Sequence, residues 1–343
     1  LELHFQLTDM AVMGVMRVIP LLRKFFKLAK QAEDYFNENR PDAVVVVDFP
    51  GFNWSIARRA KEAGIPVFYF LPPQIWAWAS WRVKRMRKYV DHVLCGLSFE
   101  PDWYAERGME VEFVGHPFFD EVASSRLDEE FCAAQQSSAE KIVGVLPGSR
   151  NHEVKGNFPE FLKLIERCES HYGDTKFLVA NYKDSQKEYC EKLYRKFGKT
   201  MPIEFHVGKT SEIIQIADCC AMVSGSVSLE LLARTTPAVI NYKCGLLLFL
   251  MAHGLREIDY FSLPNLFADR EVYPEYHSVG SSERNIRKMH SLLNYWLSDP
   301  WALEVKRKEI EKLKLQTVAF GAIAKTATAI LDKLPAESIS RAA

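Results

Sequence analysis

Short runs of β-branched and aromatic residues alternate with longer amphipathic stretches along most of the chain. The runs AVVVVD, PVFYFL, HVLCGL and VEFVG begin at residues 43, 66, 92 and 111, with helical patterns between them. Two neighbouring parallel strands need a crossover connection, usually a helix, so this alternation is typical of parallel βαβ units. The sequence therefore predicts an α/β protein built on parallel sheets.

The alternation stops at a polar stretch, SSRLDEEFCAAQQSSAE, and restarts with KIVGVLPGSR at residue 141. Further strand runs follow before a final stretch, residues 283–334, that has only helical patterns. Two alternating halves in 343 residues predict two Rossmann-like, doubly wound domains facing each other across a cleft. The predicted parts are a first domain at 1–123, a linker at 124–140, a second domain at 141–315, and a C-terminal helix and tail at 316–343 that can pack back on the first domain.

Composition narrows the class of protein. Lysine plus arginine and aspartate plus glutamate number 44 each, so no overall positive field attracts nucleic acid, and nucleic acid is not expected as a partner. The seven cysteines form no CxxC pair, which argues against a zinc site and fits a reducing, cytoplasmic compartment. The longest apolar run, LLLFLMA at residues 246–252, is far shorter than the roughly 20 residues of a membrane-spanning helix.

A carboxylate, Asp48, stands where the apolar run VVVV stops. Ligand sites of parallel sheets lie beyond the carboxyl ends of the strands, so this position is suited to meeting a substrate. Pro50 and Gly51 predict a sharp turn that leaves Asp48 at the rim. An aspartate that caps the next helix would look the same, and the local sequence leaves both interpretations open.

The segment LPGSRNHEV, residues 146–154, predicts a strand that runs into a turn and then a helix. Backbone N–H groups at such a turn, the helix dipole and a bidentate arginine can together hold a phosphate. No Walker lysine follows, and a serine-capped turn with a solvated arginine is the alternative. The candidate phosphate-binding residues are Gly148, Ser149 and Arg150.

The segment VSGSVSLELL, residues 223–232, repeats this arrangement with a hydroxyl-rich helix start. Hydroxyl and backbone donors can bind a diphosphate, and a glutamate one turn into the helix can accept hydrogen bonds from ribose hydroxyls. A purely local capping box is the alternative. Two such turns in one half favour nucleotide binding, with Ser224, Gly225, Ser226, Ser228 and Glu230 as candidate residues.

A polar loop and two basic stretches complete the set of candidate sites. SLPNLFADREVYPE, residues 262–275, predicts a loop in which Asn265, Arg270 and Glu271 can hydrogen-bond a sugar or phosphate, unless it is a structural crossing loop. Residues 15–30 and 76–90 are basic and amphipathic, so each can lie on an anionic bilayer or face a protein core. The candidate membrane-facing residues are Leu22, Arg23, Phe25 and Phe26.

Taken in order, these segments resemble the lipid A disaccharide synthase family over almost the whole chain. The matching segments are LTDMAVMGVMRVIPLLR, VVVDFPGFN, PPQIWAW with RVKRMRKYVD, FEPDWYAERG, FVGHPFFD, LPGSRNHEV, SGSVSLE and SLPNLFADREVYPE. A single match would mean little, whereas the ordered set is highly specific.

The resemblance implies an inverting glycosyltransferase of the GT-B type. Such an enzyme transfers 2,3-diacylglucosamine from UDP to the 6-hydroxyl of 2,3-diacylglucosamine 1-phosphate, releases UDP and makes a β-1,6-linked disaccharide for lipid A. It also implies a homodimer in peripheral contact with the inner face of the cytoplasmic membrane. No cofactor and no metal ion are expected.

Residue roles carry over by matching motif positions. Asp48 matches the family's proposed general base, Arg150 the essential arginine of its PGSR motif, and Asn265 the asparagine of its SLPN motif, so the resemblance implies that these three are the catalytic residues. Glu230 matches the glutamate that is expected to hold the nucleotide ribose. Two further residues of matching motifs are expected at the substrate: Asn53 and His116.

The chain also departs from the family pattern. Gly51 stands where many members have a second aspartate, and Pro72, Gln74 and Asp269 replace other usual residues. The family's opening Gly-Glu-x-Ser-Gly-Asp loop has no counterpart, so we expect the N-terminal segment to be missing and the first domain to be incomplete at its start. The alternatives are a catalytically impaired UDP-sugar-binding protein and a related glycosyltransferase or epimerase that uses UDP-N-acetylglucosamine.

Overall fold

The computed structural model describes residues 5, 22–169, 174–244 and 257–334. The chain divides into two compact units: the first takes in the residues up to Pro117 and those from Ala319 onward, and the second is Phe118–Val318. The basic stretch before residue 22 and the apolar run at 246–252 lie outside the described residues. Within the described ranges, no helix combines the length and the apolarity that crossing a bilayer requires.

The first unit is built on a parallel sheet of four strands. They are β1 (Val44–Val47), β2 (Val67–Phe70), β3 (His92–Cys95) and β4 (Glu112–Phe113), hydrogen-bonded in that order. The runs VVVV, VFYF and HVLC are rich in β-branched and aromatic residues, which pack well on a pleated sheet. The helices of this part of the chain are α1 (Leu22–Asn39), α2 (Pro50–Glu62), α3 (Ile75–Trp78), α4 (Val83–Tyr89) and α5 (Glu100–Ala105).

The core of the first unit lies between the sheet and its helices. Ala29 and Phe36, two turns apart on α1, pack in one cluster with Trp54 of α2 and Tyr69 of β2. Because successive residues of a strand point to opposite faces, the neighbouring Phe68 contributes to a separate cluster on the other face. Both faces of this sheet are therefore covered.

The second unit is built on a parallel sheet of six strands. They are β5 (Lys141–Leu146), β6 (Thr175–Asn181), β7 (Ile203–Val207), β8 (Cys219–Met222), β9 (Ala238–Cys244) and β10 (Glu275–Val279). Their order is β10-β9-β8-β5-β6-β7, so the chain reverses direction across the sheet between β5 and β8. In doubly wound sheets, ligands bind at the carboxyl ends of the strands at such a switch point.

Helices cover both faces of the second sheet. Val143 and Val145 of β5 belong to one core cluster, while Ile142 and Leu146 belong to the other. Gly144, between them, has no room for a side chain, because an added Cβ would lie 2.6 Å from Cys220 Sγ. The helices that follow in the chain are α6 (Pro117–Ser124), α7 (Glu129–Gln136), α8 (Asn151–Glu169), α9 (Asp184–Phe197), α10 (Thr210–Ile216), α11 (Val227–Arg234), α12 (Leu263–Ala268), α13 (Glu283–Ser298) and α14 (Pro300–Thr317).

The chain returns to the first unit with its last helix, α15 (Ala322–Leu331). Ala329 of α15 packs with Phe68 and Leu94 in the second cluster of the first unit. Lys333, just beyond the helix, pairs with Glu112 of β4 at 2.6 Å. The first unit is therefore completed by residues from the end of the chain.

Two segments contain more regular structure than their sequences predict. The polar stretch at 124–140 includes α7, and Gln135 of α7 donates a hydrogen bond to Glu204 of β7 at 2.9 Å. The predicted loop at 262–275 includes α12 and runs into β10, which the sequence analysis missed. The β10 sequence EYHSV has no apolar run because it forms an edge strand of the sheet.

Candidate functional site

The strand ends of the first sheet carry an unusual backbone. Asp48 and Phe49 after β1, and Leu71 after β2, have φ angles of 43°, 42° and 50°. This left-handed conformation costs a non-glycine residue about 1 to 2 kcal/mol, and such positions cluster at functional sites. The sharp turn therefore lies at Asp48 and Phe49, and the prediction of a turn at Pro50 and Gly51 is wrong, because Pro50 is the first residue of α2.

Two buried groups hold the backbone of Asp48 in this conformation. The Tyr69 hydroxyl donates to the Asp48 carbonyl oxygen at 2.8 Å, and the Asn53 amide donates to the same oxygen at 2.7 Å. Asn53 also donates to the Val47 carbonyl at 2.9 Å, so its amide faces the turn rather than solvent. Asn53, predicted to contact substrate, is thus placed to position Asp48.

The Asp48 side chain is exposed at the carboxyl end of β1. The N-cap of α2 is Phe49, and no side chain caps that helix, so the interpretation of Asp48 as a capping residue is wrong. None of the residues that the structure describes donates a hydrogen bond to the Asp48 carboxylate. A fixed backbone and a solvent-facing carboxylate are the features that a general base needs.

The ends of β2, β3 and β4 lie close together at the carboxyl edge of the sheet. An added Cβ at Gly96 would lie 2.5 Å from Leu71 Cδ2 and 3.3 Å from His116 Cδ2, so these three strand ends are in close contact. Burial lowers the pKa of His116 to about 4, which keeps its imidazole neutral at physiological pH. His116, predicted to contact the substrate, therefore lies half-buried beyond the carboxyl end of β4.

A buried carboxyl group that the sequence analysis missed, Glu100, joins two of these loops. Its Oε1 accepts a hydrogen bond from Trp76 Nε1 at 3.0 Å, and its Oε2 accepts one from the Leu97 backbone N–H at 3.0 Å. Burial raises the pKa of Glu100 to about 7. The motifs PPQIWAW and FEPDWY are therefore tied together by one side chain.

We expect this burial to make stability depend on pH. A carboxyl group whose pKa rises from 4.5 in the unfolded chain to about 7 in the fold stabilises the protein fully below pH 4.5 and loses that contribution as pH rises through 7. Urea unfolding of the Glu100→Gln variant should lack this component, which amounts to up to about 3 kcal/mol between pH 5 and 8. An unchanged difference between wild type and variant at both pH values would contradict the assignment.

In the second unit, the Arg150 turn (residues 147–150) follows β5 and leads into α8. Gly148 has φ 117°, and an added Cβ there would lie 2.6 Å from Glu153 Cβ. The Glu153 carboxylate accepts hydrogen bonds from the backbone N–H groups of Ser149 and Arg150 at 3.1 and 3.0 Å. These predicted phosphate donors are therefore already occupied by an internal carboxylate, which the sequence analysis did not single out.

The Gly225 turn (residues 223–226) follows β8 and leads into α11. Gly225 and Ser226 are exposed, and an added Cβ at Gly225 would meet nothing within 4 Å. Ser228 is fully buried and donates its hydroxyl to the Gly225 carbonyl at 2.8 Å, so it stabilises the turn. Ser224, half-buried, lies within this turn, which is open to a ligand.

Glu230, predicted to hold a ribose, is buried in α11 and paired with Arg234. The Arg234 Nε donates to Glu230 Oε1 at 2.8 Å, and both side chains are less than a tenth exposed. No side chain caps α11 at Ser226, so the capping-box alternative is wrong.

The asparagine of the SLPN segment makes all of its described hydrogen bonds within the second unit. Asn265 is fully buried; its amide nitrogen donates to the Tyr273 carbonyl at 2.7 Å and to Glu275 at 2.8 Å. Its amide oxygen accepts from the backbone N–H groups of Val272 and Tyr273 at 2.8 and 2.7 Å. Through these four hydrogen bonds, Asn265 connects α12 to the loop that leads into β10 and holds that loop in place.

The two charged residues predicted beside Asn265 lie at the surface of the same loop. Arg270 pairs with Glu309 of α14, and Glu271 accepts a hydrogen bond from the Glu275 backbone N–H at 3.3 Å. Over the described part of the chain, no three histidine, cysteine, aspartate or glutamate side chains come together as a possible metal site.

The start of α1 presents the predicted membrane-facing residues. Leu22 and Phe26 are 41% and 66% exposed, and Arg23 is exposed beside them. Phe25 differs, because its ring lies 5.7 Å from that of Phe52 and is half-buried against α2. Three of the four residues therefore face solvent.

Comparisons with known proteins give the family. The family described as lipid-A-disaccharide synthetase matches residues 1–327. The lipid-A-disaccharide synthase of Idiomarina loihiensis is 31% identical over 289 residues, which are 84% of this chain and 76% of the relative. That of Anaeromyxobacter dehalogenans is 32% identical over 286 residues, which are 83% of this chain and 74% of the relative.

Solved structures share the fold at low sequence identity. A UDP-GlcNAc 2-epimerase from Neisseria meningitidis, bound to UDP-GlcNAc, has a TM-score of 0.61 at 12% identity and covers 91% of this chain and 82% of its own. An α,α-trehalose-phosphate synthase (UDP-forming) from Burkholderia vietnamiensis has a TM-score of 0.54 at 13% identity, with coverages of 95% and 81%. The predicted α/β fold of the GT-B type, with two Rossmann-like sheets, is confirmed.

The fold is common to epimerases and glycosyltransferases, so the distinction between them rests on the sequence match. That match runs from the first residue through α14 and into α15. The chain belongs to the lipid-A-disaccharide synthetase family and is a glycosyltransferase of lipid A biosynthesis.

Proposed function

We propose that this chain transfers 2,3-diacylglucosamine from UDP to the 6-hydroxyl of 2,3-diacylglucosamine 1-phosphate, with inversion, to give a β-1,6-linked disaccharide. The observation that carries the proposal is the Asp48 carboxylate, exposed at the end of β1 on a backbone that Tyr69 and Asn53 hold in place. Family membership supplies the substrates.

In the proposed reaction, Asp48 is the general base. It accepts the proton of the acceptor 6-hydroxyl as that oxygen forms a bond to the anomeric carbon of the donor. The bond from the anomeric carbon to the β-phosphate oxygen breaks, and its electron pair leaves with UDP. Proton transfer by a positioned carboxylate typically contributes 10² to 10⁴ in rate.

In the proposed reaction, the second unit binds the UDP-sugar. The Gly225 turn offers exposed backbone at the start of α11, and helix starts favour anions such as a diphosphate. Arg150 stabilises the charge that develops on the leaving diphosphate, as positioned donors do in group transfer. Its side chain is 55% exposed and so is available to a ligand.

A product assay tests the proposal directly. With labelled UDP-2,3-diacylglucosamine and acceptor, we expect disaccharide and UDP to appear in equal amounts, separated by thin-layer chromatography. The same assay with UDP-N-acetylglucosamine should give no product. Epimerised UDP-N-acetylglucosamine would favour the epimerase alternative, and binding heat from UDP without any disaccharide would favour the non-catalytic binding protein.

We also propose that the start of α1 contacts the inner face of the cytoplasmic membrane and that the enzyme acts there as a homodimer. Exposed apolar side chains beside Arg23, Lys24 and Lys27 fit an anionic bilayer surface. Both proposed substrates carry acyl chains, so they reside in that membrane.

Vesicle binding tests this contact. Burying one large apolar side chain is worth about 1.5 to 3 kcal/mol, so Phe26→Ala should weaken co-sedimentation with phosphatidylglycerol-containing vesicles by about tenfold or more. Leu315→Ala, at a residue 80% exposed in the second unit, is the matched control and should bind as wild type does. Equal binding by all three proteins would contradict the proposed contact.

A further inference from the structure

The Glu153 carboxylate holds both the backbone and the side chain of Arg150. Its Oε2 accepts from the N–H groups of Ser149 and Arg150, at 3.1 and 3.0 Å. Its Oε1 accepts from Arg150 Nη1 at 2.9 Å. Glu153 itself is only 8% exposed, so a well-packed carboxylate holds Arg150, whose own side chain is 55% exposed.

This contact fills the place where an anion would bind at the start of α8. Two of the backbone donors there already serve a carboxylate, and a phosphate at the same position would meet like charge at hydrogen-bond distance. Gly148 permits the contact, because an added Cβ would lie 2.8 Å from Glu153 Oε2. The glycine therefore makes room for Glu153 rather than for a ligand.

The Gly225 turn, by contrast, is open. Gly225 and Ser226 are exposed, and the nearest glutamate of α11, Glu230, is buried and paired with Arg234. The two turns that look alike in sequence thus differ in structure. One is closed by its own carboxylate, and the other presents unobstructed backbone at a helix start.

The two turns are also neighbours. β5 and β8 pair directly, with Leu146 opposite Met222, and the Val223 N–H donates to the Leu146 carbonyl at 3.0 Å. Adjacent strands lie about 4.8 Å apart, so the Arg150 turn and the Gly225 turn leave the sheet side by side. An arginine held at one turn is within reach of a diphosphate bound at the other.

We propose that Glu153 is a positioning residue: it keeps anions away from the start of α8 and aims the remaining guanidinium donors of Arg150 at a diphosphate held by the Gly225 turn. The proposal rests on the proposed function, since it concerns the same donor site. It assigns the two predicted phosphate turns different tasks, one to bind the diphosphate and one to supply its counter-charge.

A double-mutant cycle tests the assignment. UDP titration calorimetry and kcat are measured for wild type, Glu153→Gln, Arg150→Ala and the double variant. Losing a charge-assisted hydrogen bond costs about tenfold to a hundredfold, so each single variant should bind UDP and turn over more weakly by about that range. Because Glu153 acts through Arg150, adding Glu153→Gln to Arg150→Ala should change neither quantity further.

Two outcomes would overturn the proposal. If Glu153→Gln binds UDP more tightly than wild type, the diphosphate binds at the start of α8 rather than at the Gly225 turn, and Glu153 opposes its binding instead of positioning Arg150. If Glu153→Gln lowers UDP affinity by the same factor with and without Arg150, its role is only structural.

A matched control and an independent readout complete the design. Asp299 caps α14 by accepting from the N–H groups of Trp301 and Ala302, so Asp299→Ala removes this cap and should lower the melting temperature without changing UDP affinity. Failure of the proposed function would appear separately, as absence of disaccharide from the wild type. The UDP titrations would still test Glu153 in that case.

Discussion

The Asp48→Asn variant should lose about 10² to 10⁴ in kcat while keeping its fold and its affinity for UDP. Asparagine matches aspartate in shape but cannot accept the proton of the acceptor hydroxyl. The contacts that hold the turn use the Asp48 backbone carbonyl rather than the carboxylate, so they survive the change. Saturating kinetics with both substrates measure the effect, and UDP calorimetry verifies that donor binding is intact.

Asp42→Asn is the matched control for this experiment. Asp42 is exposed before β1, at the opposite end of the strand from Asp48, so its variant should keep wild-type kcat. Near-normal turnover by Asp48→Asn would show that another group is the base. A loss of kcat together with a lowered melting temperature would show instead that the carboxylate supports the strained turn.

Asn265→Ala should destabilise the protein by about 3 to 5 kcal/mol. The change removes four hydrogen bonds and leaves the N–H groups of Val272 and Tyr273 buried without the acceptor they now have. An unsatisfied buried donor costs about 1 to 3 kcal/mol, and two of them exceed the usual cost of a point mutation. Denaturant unfolding followed by tryptophan fluorescence provides the measurement.

Asn39→Ala provides the comparison, since Asn39 is exposed and makes one hydrogen bond to the Tyr35 carbonyl at 3.2 Å. Its unfolding free energy should change by less than about 1 kcal/mol. The family resemblance assigned Asn265 a part in catalysis. Full stability of Asn265→Ala combined with a large loss of turnover would support that role over the structural one.

The fold was largely predictable because strands buried by crossover helices need apolar runs, and such runs are visible in sequence. VVVV, KIVGVL and CCAM each mark a strand of the structure. β10 could not be found this way, because an edge strand such as EYHSV has no need of two apolar faces. The helix α7 was hidden in a polar stretch because none of its residues is buried.

The site was predictable by position but not by orientation. The sequence places Asp48, Asn53 and Asn265 in motifs. It does not distinguish an asparagine that binds a substrate from one that holds a loop together by hydrogen bonds. Only the folded structure shows that the side chains of Asn53 and Asn265 point inward while that of Asp48 faces solvent. Glu153 carried part of a usable signal. It is the third residue of α8, the position from which a capping-box glutamate accepts from the backbone N–H before the helix, although Arg150 stands there in place of serine or threonine.

The return of α15 to the first unit sets the order in which the protein can mature on the ribosome. Ala329 fills a cluster with Phe68, Leu94 and Val114, residues made more than two hundred positions earlier. The second unit, Phe118–Val318, is synthesised in one piece and can fold as soon as it emerges. The half that carries Asp48 keeps an uncovered apolar face around Phe68 until α15 has emerged, so this half is completed after the second unit.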